Sequence, residues 1–226
     1  MTPSLFLFDI DGTLLNTGGA GRRAMAAAFA LCHRRPDACG GFSFGGMTDR
    51  AIIRRALRAI EADDGEEAID AVLSAYLTRL AAELSAGTTE LCPGVRPLLD
   101  RIGARGRASL GLGTGNVRAG ALLKLASAGL ADRFAFGGFG CDAEDRGALL
   151  RAGALRGAEA IGFALDRCRV VVLGDTPRDI KAARAIGALC VAVATGPFSR
   201  DQLADHGPDL CCEDLLDPRL PPFLGV

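Results

Sequence analysis

Apolar residues are arranged along the chain in two ways. Short unbroken runs alternate with longer segments in which they recur three and four positions apart. The first run, Leu5-Phe-Leu-Phe8, carries no polar alternation and predicts a strand buried on both faces. Residues 19–32, 49–62 and 65–85 are rich in Ala, Leu, Arg and Glu and predict three amphipathic helices with no strand between them. Beyond Cys92-Pro-Gly94 the pattern alternates. It predicts a helix over 95–104, a strand over 109–113, a helix over 117–128, a short strand over 134–137, a long helix over 145–163 and a strand over 169–174. A helix to 186, a strand over 189–194, a short helix near 200–206 and a last strand and turn near 209–217 follow.

Strand–helix alternation predicts an α/β fold, a parallel sheet covered by helices on both faces. The helical block interrupts this order after the first strand. The expected organisation is an α/β core of residues 1–16 and 90–226 with an inserted all-α unit at 17–89. The insertion leaves from the carboxyl edge of the sheet, where it can act as a lid.

Composition narrows the functional classes. The 226 residues are 49% hydrophobic with a net charge of −1, which offers no basic surface for nucleic acid or membrane. No apolar stretch approaches the roughly 20 residues of a membrane span. The N-terminus runs directly into a strand with no leader-like segment, so a cytoplasmic location is expected. Eight cysteines without a Cys-x-x-Cys pair, and only two histidines, argue against a zinc site or a disulfide framework. Basic charge is nearly all arginine, Lys124 and Lys181 being the only lysines.

Candidate chemistry sits at strand ends. Asp9-Ile-Asp11-Gly12-Thr13 closes the first strand, where open α/β sheets bind ligands. Strand alternation is expected to point both carboxylates to one side, where they repel unless a cation compensates. An EF-hand reading fails, because its sixth and twelfth positions hold Leu14 and Ala20. A dinucleotide fingerprint beginning at Gly111 fails at Asn116. Gly113-Thr114-Gly115-Asn116 follows another strand, with Asn116 a natural N-cap. Gly174-Asp175-Thr176-Pro177-Arg178-Asp179 follows a third, and Thr176 to Asp179 has the spacing of a capping box. Converging strand ends would gather carboxylates, a hydroxyl and free N–H groups. That equipment suits Mg²⁺, an anion and a carboxylate nucleophile, and hence phosphoryl transfer.

With these motifs in this order the chain resembles haloacid dehalogenase superfamily hydrolases that carry a helical cap after the first motif, the group that includes phosphoglycolate phosphatases and β-phosphoglucomutases. The resemblance implies a Rossmann-like core. It implies Asp9 as nucleophile forming an aspartyl-phosphate, and Asp11 as the acid and base serving the leaving oxygen and the water. It implies Mg²⁺ held by Asp9, the Asp11 carbonyl and Asp175, with Asp179 ordering its surroundings. Thr114, Gly115 and Asn116 would bind the phosphoryl oxygens. Asp11 also favours phosphatase or phosphomutase chemistry, since dehalogenase members lack an aspartate there. The lysine that such proteins carry as a third motif is absent, and Arg146, or else Lys181, is the expected substitute. Thr48 and Arg50, in Gly45-Gly46-Met47-Thr48-Asp49-Arg50, resemble a substrate-specificity loop, and Arg50 and Arg22 are candidates to meet an anionic leaving group. The implied partner is a small phosphorylated metabolite, such as phosphoglycolate or a sugar phosphate, and the implied assembly a monomer or homodimer. A phosphomutase, or a non-catalytic receiver-like phosphate-binding module, are the alternatives.

Overall fold

The computed structural model describes residues 2–106 and 108–226. Six parallel strands form the main sheet: β1 (Ser4–Phe8), β4 (Ala108–Gly113), β5 (Phe136–Gly138), β6 (Arg169–Gly174), β7 (Leu189–Val193) and β8 (Leu210–Cys212). Their order is β5-β4-β1-β6-β7-β8. The chain therefore builds outward from β1 in one direction and then in the other. The crevice beyond the carboxyl end of β1, between β4 and β6, is a topological switch point.

The uniform apolar runs follow from this burial. Phe6 and Phe8 of β1 face one core cluster with α4 (Val95–Gly103) and α5 (Arg118–Ser127). Leu5 and Leu7 face a second with α6 (Arg146–Ala160) and α7 (Pro177–Ala185). The inner residues of β1, Leu5 to Phe8, are all apolar because both pleat faces are covered by helices. Short helices α8 (Arg200–Ala204) and α9 (Leu220–Leu224) complete the unit.

Between β1 and β4 lie three further helices, α1 (Ala20–His33), α2 (Asp49–Ala59) and α3 (Glu66–Ala86). They enclose their own core, with Phe29, Ile53, Leu57, Ile69, Val72 and Tyr76 buried together. Two-residue strands β2 (Leu15–Asn16) and β3 (Glu90–Leu91) pair antiparallel where the chain enters and leaves this helical unit. The unit closes over the sheet edge. The Asp49 N–H donates to the Gly115 carbonyl at 2.9 Å, Arg54 pairs with Glu144 at 2.8 Å, and Arg178 donates to the Gly45 carbonyl.

The expected elements are all present, with shifted ends. Helix α2 stops three residues early, just before Glu61 takes a left-handed φ of 56°. Helix α6 stops at Ala160, before Gly162 at φ 73°. Strand β5 begins at Phe136 rather than 134, because Phe134 turns inward to stack edge-on against Phe8. Strands β2 and β3 are too short to show a period. Helix α9 lies beyond the last expected element, the strand and turn near 209–217, and Pro221 and Pro222 fall in its first turn, where proline is tolerated. Among the described residues no helix is long and apolar enough to cross a membrane.

Candidate active site

Asp9 is the first residue past β1 and is 5% exposed. Its Oδ1 accepts the Ile10 N–H at 2.8 Å, and its Oδ2 meets Arg146 Nη2 at 2.7 Å. Asp175, the first residue past β6, accepts the Thr13 hydroxyl at 3.2 Å. Oxygens of Asp9, Asp175 and Asp179 lie within 4.8 Å of one another, and all three residues are buried. Asp179 performs two tasks. Its Oδ2 closes the expected capping box with Thr176, accepting the Thr176 N–H at 3.1 Å and hydroxyl at 2.6 Å. Its Oδ1 accepts Arg146 Nε at 2.8 Å.

Arg146 opens α6, but it is 8% exposed and is no surface charge. Burial disfavours its cation, yet Asp179 and Asp9 outweigh that and hold the guanidinium protonated. Lys181 is exposed and does not line the cavity beside Asp9. Three carboxylates against one guanidinium leave the cluster with an excess of two negative charges if all ionise. The strain shows in the acids. Burial pushes the Asp9 carboxyl up to about 6, with Asp179 and Asp11 adding to it and Arg146 opposing. Burial and the neighbouring Asp9 raise Asp175 well above its ordinary value. Hard oxygens around an unbalanced double negative charge fit a divalent cation such as Mg²⁺.

Asp11 departs from expectation. Strand geometry ends at Phe8, and Ile10 is buried in the core while Gly12 turns at φ 77°. Asp11 still lines the same cavity as Asp9, but its carboxylate lies outside the acidic cluster. Its oxygens instead accept from Lys124 Nζ at 2.8 and 2.6 Å and from Asn116 Nδ2 at 2.8 Å. Burial works to raise this carboxyl, but Lys124 and Asn116 prevail and hold it below the ordinary range. Lys124, which contacts Asp11 and Asn116, was not among the expected site residues. The signal was a lysine on the buried stripe of α5, beside Ala121 and Leu125, in a chain with only one other lysine.

Other expected residues shift as well. Thr114 is fully buried, its hydroxyl accepting from the Asn116 N–H at 3.2 Å and Nδ2 at 2.9 Å. Gly115 and Asn116, not Thr114, form the wall of the cavity beside Asp9. Asn116 does not cap α5, whose N-cap is Val117. Its side chain is committed to Asp11, Thr114 and Lys124. Thr48 caps α2 through the Ala51 N–H. Arg50 pairs with Glu66 and Asp70, and neither Thr48 nor Arg50 lines the cavity. Arg22 does line it, but turns its terminal nitrogens to the Cys39 and Phe42 carbonyls and stacks on Phe44.

These residues surround a cavity of about 480 Å³ between sheet and helical unit. Asp9, Asp11, Arg146 and Asp175 line its sheet end, and Met25, Phe44, Ile52 and Tyr76 line its helical end. That is the size of a small-ligand pocket with convergent polar groups at one end.

A sequence model of the haloacid dehalogenase-like hydrolases matches residues 3–187. The chain belongs to that family. It is 29% identical over 222 residues to phosphoglycolate phosphatase 1 of Pseudomonas aeruginosa, covering 95% of this chain and 78% of that protein. The crystal structure of a predicted phosphatase from Clostridium acetobutylicum superposes with a TM-score of 0.71 at 16% identity, covering 100% of both chains. CbbY of Rhodobacter sphaeroides, solved with xylulose-(1,5)bisphosphate, gives a TM-score of 0.71 at 18% identity, covering 95% of this chain and 96% of its own. At these identities the structural likenesses concern the fold.

Proposed function

We propose that this hydrolase is a Mg²⁺-dependent phosphatase of small organic phosphomonoesters, working through an aspartyl-phosphate on Asp9. The observation that carries this reading is the placement of Asp9. It stands at the switch point, at the sheet end of the cavity, paired with a buried cation and beside two further carboxylates. The match to the family and the identity to a phosphoglycolate phosphatase support the same chemistry.

In the proposed cycle an Asp9 oxygen attacks phosphorus and the ester P–O bond breaks, Asp11 giving its proton to the leaving oxygen. Water then attacks the aspartyl-phosphate, gives a proton back to Asp11, and phosphate leaves Asp9. Arg146 balances charge on Asp9 and on the phosphoryl oxygens. Gly115 and Asn116 face the phosphoryl group, and the Thr114 hydroxyl behind them fixes the Asn116 side chain. Lys124 holds Asp11 ionised in the closed structure, which is the state needed by a base. Acting as an acid requires that contact to open, so Asp11 and Lys124 separate once a cycle. The helices of 17–89 are proposed to work as the cap that excludes water. Asp9 and Asp175 would hold Mg²⁺, with Asp179 alongside, and a bound Mg²⁺ supplies Lewis-acid withdrawal from the phosphoryl oxygens.

The test is release of inorganic phosphate from a panel of phosphomonoesters. Turnover is expected with Mg²⁺ and should vanish on chelation with EDTA, returning when Mg²⁺ is restored. Failure to release phosphate from any ester, with metal present, would remove the proposal.

A backbone variant probes the metal site separately. A Cβ on Gly196 would stand 1.8 Å from Asp175 Oδ2, and one on Gly12 2.4 Å from the same atom. Backbone must therefore come close to this carboxylate from two sides. Gly196→Ala is expected to displace Asp175, raise the Mg²⁺ concentration for half-maximal activity and lower turnover at least about tenfold, in the range that disturbing the surroundings of a metal site costs. Wild-type metal dependence in that variant would show that Asp175 does not serve the metal.

A further inference from the structure

The cavity continues past the catalytic carboxylates to a second set of polar groups among the helices. Tyr76 of α3 is 1% exposed, yet its hydroxyl has no hydrogen-bond partner among the described residues. No side-chain polar atom sealed off from solvent is left unpaired there, so this hydroxyl opens into the cavity that Tyr76 lines. Asp49 lines the same space, 6% exposed. Its Oδ2 accepts the Val117 N–H at 2.8 Å, and no partner is seen for Oδ1. Lys124 Nζ lies between them and Asp11. A Cβ on Gly21 would sit 3.7 Å from Lys124 Nζ and 3.8 Å from Tyr76 Oη. The glycine keeps the floor of this corner open.

A donor and an acceptor that face the cavity without protein partners are each free to take a hydrogen bond from a ligand. A hydroxyl supplies both, accepting from Tyr76 and donating to Asp49. A carboxylate supplies only acceptors and would face the Asp49 carboxylate. The cations nearby do not favour it either, since Lys124 already makes contacts to Asp11 and Asn116 and the terminal nitrogens of Arg22 are turned to carbonyls. We propose that Tyr76 and Asp49 form a leaving-group subsite for hydroxyls, making the preferred substrates phosphate esters of neutral sugars or polyols rather than of carboxylic acids. This rests on the phosphatase reading above and specifies its substrate class. Tyr76 and Asp49 are specificity-determining residues in that scheme.

The test compares kcat/KM for a polyol phosphate, a pentose phosphate, its deoxy counterpart and phosphoglycolate. The hydroxylated esters are expected to exceed both the deoxy ester and phosphoglycolate by about tenfold or more, because a site built to bond a hydroxyl discriminates against its absence. Tyr76→Phe should cut that preference severalfold, chiefly through KM. Gly21→Ala, which puts a methyl into the same corner at ordinary contact distance, should do so as well. Equal or better turnover of phosphoglycolate, or a Tyr76→Phe preference unchanged from wild type, would overturn the proposal. Calorimetric binding of the same four esters to Asp9→Asn separates it from the parent reading. Selective binding of polyol phosphate with no turnover by wild type sinks the phosphatase and leaves the subsite standing. Turnover without selectivity does the reverse.

Discussion

Asp9→Asn is expected to eliminate phosphate release while leaving the molecule folded. In the proposed cycle Asp9 makes and breaks the covalent bond to phosphorus, and loss of a covalent nucleophile costs roughly 10⁴-fold or more. Structural consequences oppose one another. Asparagine removes one negative charge from a cluster that carries an excess of two, which relieves Asp175 and Asp179. It also places an amide N–H either against Arg146 Nη2, where Asp9 Oδ2 now sits at 2.7 Å, or against the Ile10 N–H. The net change in stability should stay within about 1 kcal/mol, small beside the catalytic loss. Phosphate release and thermal unfolding, measured on one preparation, check both halves. Residual activity within tenfold of wild type would show that another group attacks phosphorus.

The fold was largely legible because burial on two faces writes itself into composition. The run Leu5–Phe8 and the run Val170–Leu173 could only be interior parallel strands, and the helical block after Thr17 was visible as a long absence of strand signal. Motif residues at strand ends were legible for the same reason, since topology alone carries Asp9, Gly115, Asn116 and Asp175 to one edge. What stayed hidden was side-chain direction beyond the strand. Asp11 reaches the same cavity as Asp9, but its partners Lys124 and Asn116 come from distant chain and left no local pattern. Thr114 and Asn116 were read together as phosphoryl-binding groups, whereas the fold ties their side chains to each other and to Lys124. Arg50 and Thr48 were drawn toward the site by their position in the chain. In the structure an ion pair with Asp70 and a helix cap account for them locally. Tyr76 carried no motif, and Asp49, although inside the Gly45–Arg50 loop, was not singled out. Their polar atoms matter because α1, α2, α3 and α5 meet around them, and contacts between distant segments of chain leave no local pattern.

Arg146→Met should be the most damaging single change to the site as a structure. Nη2 bridges Asp9 at 2.7 Å and Asp179 at 2.5 Å, and all three residues are buried. Methionine fills most of the volume but leaves three carboxylates with no counter-charge. Breaking a buried pair from one side costs about 3–5 kcal/mol. For a chain of this size that lowers Tm by roughly 10 °C. The sign with pH follows from linkage. The Asp9 carboxyl already sits at about 6, above its ordinary 3.8, and Arg146 is the main influence holding it down. Without Arg146 the folded value rises further. The folded state then retains protons that the unfolded chain has released, so stability falls as pH rises through that window. The deficit against wild type should therefore be smaller below about pH 6 and widest near pH 8. Mg²⁺ should raise Tm more in the variant than in wild type, because the cation answers the larger charge excess. Phosphate release is expected to fall at least about 100-fold, as removal of a preorganised charge contact does elsewhere. Arg146→Lys keeps the charge but not the planar fork that spans two carboxylates, so it should recover most of the stability and only part of the turnover. A deficit in Arg146→Met that is equal at pH 5.5 and pH 8 would mean that packing, rather than the charge balance around Asp9, Asp175 and Asp179, is what this arginine contributes.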